Sequence, residues 1–243
     1  MPRLPRFFIS PDQIAGETIV VRGEDVRHIG AVLRMRAGDE LVLCDGGGTD
    51  YRVRITAIDR SEIRTAVLER GLRERSGPRI TLGQGLPKSD KMDFIVQKAT
   101  ELGVASIVPL VTERTIVKVR DEEKRLGRWR KICREAAMQS NRMDIPVVEP
   151  VSSYDAFVQE AGASGSLLLL PWEEGTEPLR NVLRKAPPAG AITMLIGPEG
   201  GFSEKEAGFA IQRGFHSVSL GRNILRTETA AVAALAMIAY AFS

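Results

Sequence analysis

Between Thr18 and Leu68 the apolar positions recur mostly at every second residue, the period of a strand with one face in a core and one in water. The pattern predicts strands over Thr18–Val21, Glu40–Cys44, Tyr51–Ile58 and Ile63–Leu68. In the third, Arg52 and Arg54 alternate with Val53 and Ile55, and the triplet Gly46, Gly47 and Gly48 turns the chain ahead of it. One stretch breaks the rhythm. Val26, Ile29, Val32 and Leu33 fall at helical spacing and predict a helix over Glu24–Met35 with those four on its apolar face. Short strands with tight turns, interrupted once, imply a small β-barrel.

The polar, turn-prone segment from Glu74 to Pro78 marks a boundary, giving domains 1–73 and 79–243. Beyond it, short apolar runs (Ile80–Leu82, Ile107–Val111, Leu167–Leu170, Thr193–Ile196, Ser217–Leu220) alternate with helical patterns. The helices are predicted over Lys91–Leu102, Glu122–Ser140, Ser153–Glu160, Glu204–Gln212 and Thr229–Phe242. Strands alternating with helices imply an α/β domain with a parallel sheet covered on both faces. In such sheets ligands bind at the carboxyl ends of the strands, so the loops after those runs are where chemistry is expected. The last helix is apolar all round and is expected to be buried on every side, in part against a second copy of the chain.

Composition narrows the class. Of 243 residues, 43% are apolar and 27% charged, which excludes a disordered chain or a collagen-like repeat. The net charge is only +3, yet Arg114 to Arg142 holds ten basic residues against four acidic ones. That local excess points to a polyanionic partner. The alternative is a solvated helix face, since Leu126, Trp129, Ile132, Cys133, Ala136 and Ala137 mark the opposite, buried side. All 14 basic residues before Lys88 are arginines, suited to forked contacts with phosphate or carboxylate. The N-terminus lacks an apolar core for a signal peptide, so the protein is expected in the cytoplasm. The longest apolar run, Ala230–Phe242, is 13 residues, short of the roughly 20 that span a bilayer. Cys44 and Cys133 read as buried, reduced thiols, and with only His28 and His216 besides, no metal site is expected.

Two loops carry chemistry. After Thr193–Ile196 comes Gly197, Pro198, Glu199, Gly200 and Gly201, a glycine-rich turn that lets backbone approach a ligand closely or simply turns tightly. Ser203 and Glu206 behind it form a capping box that starts a helix. After Ser217–Leu220 comes the segment Gly221 to Thr229, which sets Arg226 and Glu228 at the mouth of an apolar helix. Charge there is costly without partners. Either the two serve a site, or they form a structural ion pair with Thr227 as the cap.

These motifs are the ones that carry a resemblance. Ile196 to Gly201 with Ser203 and Glu206, then Leu220 and Gly221 with Ile224 to Ala230, are similar to the paired loops of the 16S ribosomal RNA uracil-N3 methyltransferase family, within the SPOUT methyltransferases. Three further blocks agree: His28 with Val32 to Arg34, Gly38 and Asp39; Pro87, Lys88, Lys91, Met92 and Gln97 to Gly103; and Glu135 to Ala137 with Gln139, Ser140 and Arg142.

The resemblance implies a PUA-like β-barrel followed by a SPOUT-type parallel sheet whose C-terminal segment is tied in a trefoil knot, working as a homodimer. It implies S-adenosylmethionine as cofactor, held by Leu170, Pro171 and Glu173, by Ile196, Gly197, Pro198, Glu199, Gly200 and Gly201, and by Leu220, Gly221, Ile224, Leu225, Arg226, Thr227 and Thr229. The substrate is then 16S rRNA of the small ribosomal subunit, with Arg6, Arg34, Lys88, Lys91, Arg114, Arg128, Gln139 and Arg142 expected to contact RNA. No metal is implied. For catalysis, Arg226 is nominated to stabilise charge on the uracil carbonyls; Glu199 or Glu228 either accepts the N3 proton, binds cofactor or fixes Arg226. Many relatives carry a basic residue where Asn223 stands, so a contact there is open. The dinucleotide-binding fingerprint is absent, because Gly83 and Gly85 are followed by Leu86, Pro87 and Lys88 and not by a third glycine.

Overall fold

A computed structural model of the chain describes residues 4–72, 77–116, 121–185 and 190–242. The chain divides into two compact units, Met1–Arg75 with Ala137–Ile145, and Ser76–Ala136 with Pro146–Ser243. Residues 74–76 of the boundary expected from sequence, and Lys118 and Arg120 of the basic stretch, lie outside the described residues.

The first unit is a six-stranded sheet: β1 (Arg6–Phe8), β2 (Ile14–Ala15), β3 (Thr18–Arg22), β4 (Glu40–Cys44), β5 (Thr49–Ile58) and β6 (Glu62–Leu72), in the order β1-β4-β5-β6-β3-β2. All pairs are antiparallel except β1 with β4. Alternation sends Leu41, Leu43, Val53, Ile55 and Ile63 inward, where they meet Phe7, Ile19 and Val21 in one buried core. On the outward face Arg52 and Arg54 both grip Glu40 (2.7 and 2.8 Å), and Arg64 grips Glu62 (2.7 Å). Exposed pairs of this kind contribute about 0–1 kcal/mol each, so they dress the surface more than they hold it.

The helix expected over Glu24–Met35 is shorter. An α-helical turn, α1 (Glu24–Arg27), gives way to a wide π turn over His28–Val32. Val26 and Ile29 are buried as expected, but the wider turn rotates the later positions outward, leaving Val32 66% and Leu33 41% exposed. Arg34 follows at φ 55°, a left-handed conformation uncommon for a residue with a side chain.

The stretch 137–145, which sequence places in the α/β part, belongs to this first unit. Phe8, Cys44 and Ala137 form a small buried cluster, with Met138 and Ile145 against it. Arg6 lies beneath, donating to Asp50 through both guanidinium nitrogens (2.8 and 2.5 Å), to the Cys44 sulfur (2.6 Å) and to the Arg142 carbonyl (3.3 Å). Burial pushes the Cys44 thiol up to about 12, outweighing the attraction of Arg6, so it stays protonated. Both cysteines are buried and neither is in a disulfide.

The second unit is a parallel sheet. Its elements are β7 (Arg79–Gly85), α2 (Lys91–Glu101), β8 (Ser106–Val111), α3 (Glu122–Gln139), β9 (Val147–Val148), β10 (Ser152–Ser153), α4 (Tyr154–Gly162), β11 (Leu167–Pro171), β12 (Glu177–Pro178), α5 (Leu179–Lys185), β13 (Ala191–Ile196), α6 (Glu204–Gln212), β14 (His216–Ser219) and α7 (Thr227–Ala241). The order is β10-β8-β7-β13-β11-β14-β12, with β9 on β8, and every ladder is parallel. Helices on both faces explain why these strands read as unbroken apolar runs such as Leu167–Leu170. The short helix α5 was not expected; at seven residues it is too brief for periodicity to announce it.

The last helix departs from expectation. Ala231, Ala234, Leu235 and Ile238 are buried, but Met237 is 40% and Tyr240 86% exposed, so within a single chain one face is open and α7 is not buried all round.

Candidate active site

The loops after β11, β13 and β14 converge on a pocket of about 570 Å³. Its walls are Pro171–Glu173, Ile196–Phe202 and Ser219–Thr227, with Lys91 and Ala230. All three loops leave the carboxyl ends of adjacent parallel strands, the expected position for a ligand in such a sheet. Of the residues expected to hold cofactor, Pro171, Glu173, Ile196 to Gly201, Leu220, Gly221 and Ile224 to Thr227 line it. Leu170 instead sits fully buried inside β11, and Thr229 is exposed within the first turn of α7. Glu228, half-buried, is not among the lining residues. Trp172, Phe202, Ser219 and Ala230 were missed, and Arg222 and Asn223 were expected only as part of the Gly221–Thr229 segment. An aromatic beside Pro171 was the available signal for Trp172; the others show only once the loops are folded together.

Glycine is required here by close approach. A Cβ on Gly85 would lie 2.5 Å from Pro198 Cδ and 2.7 Å from its nitrogen, and one on Gly197 would lie 3.0 Å from the Gly201 backbone. Gly201 itself takes φ 66°. Behind the loop, a buried relay joins three segments. Gln84 Nε2 donates to Thr227 Oγ1 (3.0 Å) and to the Gly85 carbonyl (2.9 Å), and Thr227 Oγ1 donates to the Gly197 carbonyl (2.6 Å). Thr227 therefore does not cap α7, as one reading of the sequence had it. Its hydroxyl is used across the site, and Arg226 takes the cap position with no side-chain cap bond.

The charged residues sort themselves clearly. Glu199 accepts from the Lys88 backbone N–H (3.0 and 3.2 Å) and from Lys91 Nζ (2.9 Å). Partial burial pushes its carboxyl up, but these donors win and hold it below the usual carboxylate range. The hydrogen bond to Glu199 raises Lys91, which also lies 3.6 Å from Glu228 Oε2. Glu228 thus faces Lys91, not Arg226, so the ion pair considered between Arg226 and Glu228 is replaced by a lysine between two carboxylates. Arg114 donates to the Gly200 carbonyl (2.7 Å) with its stem under that glycine. Next to it, the Glu113 N–H donates to Glu206 (2.8 Å), and Ser203 Oγ donates to Glu113 (2.8 Å), while Ser203 and Glu206 form the expected capping box.

The residues expected at RNA are not one surface. Lys91 lines the pocket and Arg114 braces its glycine loop. Arg128 pairs with Asp93, which also accepts from Trp129 Nε1 (3.1 Å). Lys88, Gln139 and Arg34 are exposed. Arg6 and Arg142 are turned inward, their side chains 7% and 9% exposed and paired with Asp50 and Asp144, so their charge is spent inside the first unit. Among the described residues no group of three His, Cys, Asp or Glu side chains could hold a metal ion, and no helix is long and apolar enough to cross a membrane.

A parallel α/β unit whose strand ends gather glycine-rich loops around one pocket, in a chain with a separate β unit, defines a two-domain enzyme that binds a small ligand at its loops. Residues 74–239 match the RNA methyltransferase domain, and residues 21–68 match the RNA methyltransferase PUA domain. The chain belongs to the ribosomal RNA small subunit methyltransferase E family: it is 32% identical to that protein of Bacillus subtilis over 98% of this chain and 96% of the relative. It is 34% identical to the Synechocystis protein of that name, over 96% of this chain and 76% of the relative. A crystal structure of ribosomal RNA small subunit methyltransferase E from Neisseria gonorrhoeae, bound to S-adenosyl methionine, superposes with a TM-score of 0.86 at 34% identity, covering 97% of each chain.

Proposed function

We propose that this chain transfers a methyl group from S-adenosylmethionine to N3 of a uridine in the 16S rRNA of the small ribosomal subunit. The observation that carries the reading is the convergence of the loops Ile196–Phe202 and Ser219–Thr227 on one pocket. The residues fit the cofactor. The volume suits a ligand of that size, the glycines let backbone amides and carbonyls reach an adenine edge, and Trp172 Nε1 is a buried donor left without a partner there. When bound, the cofactor supplies a methyl group on a positively charged sulfur, already activated.

The chain's own work is on the acceptor. Uracil N3 carries a proton and normally pairs, so the base must be unpaired or turned out before its edge can enter the pocket. As the proton leaves, negative charge grows on the flanking carbonyl oxygens, and Arg226, exposed on the pocket wall, stabilises it as an oxyanion hole does. Arg34, Lys88, Arg114, Arg128 and Gln139 meet RNA phosphate, whereas Arg6 and Arg142 hold the first unit together from within. The β unit, domain 1–73 with a PUA-like barrel, positions rRNA, and domain 79–243 carries the reaction.

A C-terminal trefoil knot is consistent with α7 packing on α2 and with Thr227 reaching back to Gln84. The open face of α7 at Met237 and Tyr240 suits a homodimer. The protein acts in the cytoplasm, where ribosomal subunits are made. Mapping N3-methyluridine in 16S rRNA from cells with and without the protein tests the reading: the mark disappears without it, and a mark that persists, or one in transfer RNA instead, overturns it. Within the site, Arg226→Ala is expected to lose about 100-fold in methyl transfer with cofactor binding retained by calorimetry, and full activity rules the assignment out.

A further inference from the structure

Three carboxylates stand at or beside the pocket; the geometry turns two of them to Lys91 and leaves the third, Glu173, for the pH profile below to exclude. Glu199 has both oxygens engaged by the Lys88 N–H and by Lys91 Nζ. Glu228 has its Oε2 buried without a hydrogen-bond partner, toward Lys91 at 3.6 Å, and the residue does not line the pocket. Glu173 lines the pocket but lies against Gly201, whose added Cβ would be 3.3 Å from its Oε2. Lys91, by contrast, lines the pocket with Arg226 close enough for the two charges to oppose each other. An ammonium has three donors, and Glu199 occupies one at hydrogen-bond distance.

We propose that Lys91 is a catalytic residue: with Arg226 it forms a paired cationic site for the uracil carbonyls, Glu199 and Glu228 fix its position, and the N3 proton leaves to solvent with no side chain as general base. This rests on the uracil-N3 reading above. In the step, the N3–H bond breaks with its proton going to water or hydroxide. The N3 electron pair forms the new N–CH₃ bond, and the carbon–sulfur bond breaks with its electrons staying on sulfur, leaving a neutral thioether. Both carboxylates facing Lys91 and the opposing Arg226 are accounted for, and Arg222 and Glu173 are the other charges on the pocket wall. Tethered to Glu199, Lys91 stays charged throughout the working pH range.

The test is a single-turnover pH–rate profile on small-subunit 16S rRNA, with cofactor affinity measured separately by calorimetry. The wild-type rate should climb about tenfold per pH unit from acid to mildly alkaline pH without a break, because the ionising group is uracil itself. Lys91→Met should lose about 100-fold in rate at every pH while cofactor affinity holds within a few-fold, and Lys91→Arg should recover most of that loss. Glu173→Gln, Glu199→Gln and Glu228→Gln should lower the rate but keep the slope. A plateau in the wild-type profile that one Glu→Gln variant abolishes, or a Lys91→Met enzyme within threefold of wild type, overturns the proposal. Absence of N3-methyluridine from the wild-type reaction would instead overturn the function on which it rests.

Discussion

The chain builds two charged networks around cationic side chains, and they differ in what they leave unspent. In the β unit, Arg6 is closed in by Asp50, Cys44 and the Arg142 carbonyl, with 7% of its side chain exposed. In the α/β unit, Lys91 meets Glu199 and Glu228 with about a third of each partner's side chain, or less, in contact with water. The first network turns its cation onto buried acceptors, with only Arg6 Nε left unbonded, and is closed to any ligand, so it can only hold structure. The second is tethered on one side and open toward a pocket, so it has donors left for a ligand. Ion pairs of the same chemistry thus become scaffold or site according to whether the surroundings close over them or leave them open to a pocket.

That contrast can be broken experimentally. The largest effect is expected at Arg6→Ala, which takes the guanidinium out of its buried cluster with Asp50, Cys44 and the Arg142 carbonyl; stability should fall by about 3–5 kcal/mol in urea titration. A loss under 1 kcal/mol would mean that Arg6 is not structural in the sense argued. Next comes Gly85→Ala, whose Cβ would collide with the Pro198 backbone. Displacing the glycine loop should cost about 1–3 kcal/mol, seen as a cofactor affinity some tenfold weaker or more, with the β unit untouched.

The smallest effect concerns pH. Because Glu199 is held below its ordinary range, its contribution to stability is present above the unfolded carboxylate value and lost as pH falls through the lower, folded value. Lys91 is raised, so its contribution is present below the ordinary lysine value and lost as pH rises through the folded one. The difference in melting temperature between wild type and Glu199→Gln should therefore shrink on acidification; a gap that stays constant to low pH would remove the tether from the argument.

The periodic parts of this fold were readable in advance. Glu40–Cys44 and Glu204–Gln212 form with the bounds that alternation and the Ser203 capping box dictate. What escaped was set by geometry beyond one element. Val32 and Leu33 read as the inner face of a helix, and only the π turn at His28–Val32 turns them out. Arg6 reads as a phosphate ligand because a sequence records a charge but not its partner 44 residues away, and Arg142 because nothing in it tells that Asp144, two residues on, is turned inward with it. The loop residues Gly197–Gly201 and Gly221–Thr227 announced themselves by glycine and by charge at a helix mouth. The Gln84–Thr227 relay did not, since a buried amide and hydroxyl at distant positions leave no pattern.

That relay also bears on when the enzyme can work during its own synthesis. Gln84 and Thr227 are separated by 143 positions. A ribosome adding about 5–20 residues per second needs roughly seven to thirty seconds to travel between them. For that interval the strand carrying Gln84 waits without its partner, and over its last 30 positions Gly197 lacks the hydroxyl that steadies its carbonyl. A nascent or broken-off chain should be silent until its last helix has left the tunnel and docked. The protein's clock for becoming active is thus set by the making of α7 and not by the strands that precede it.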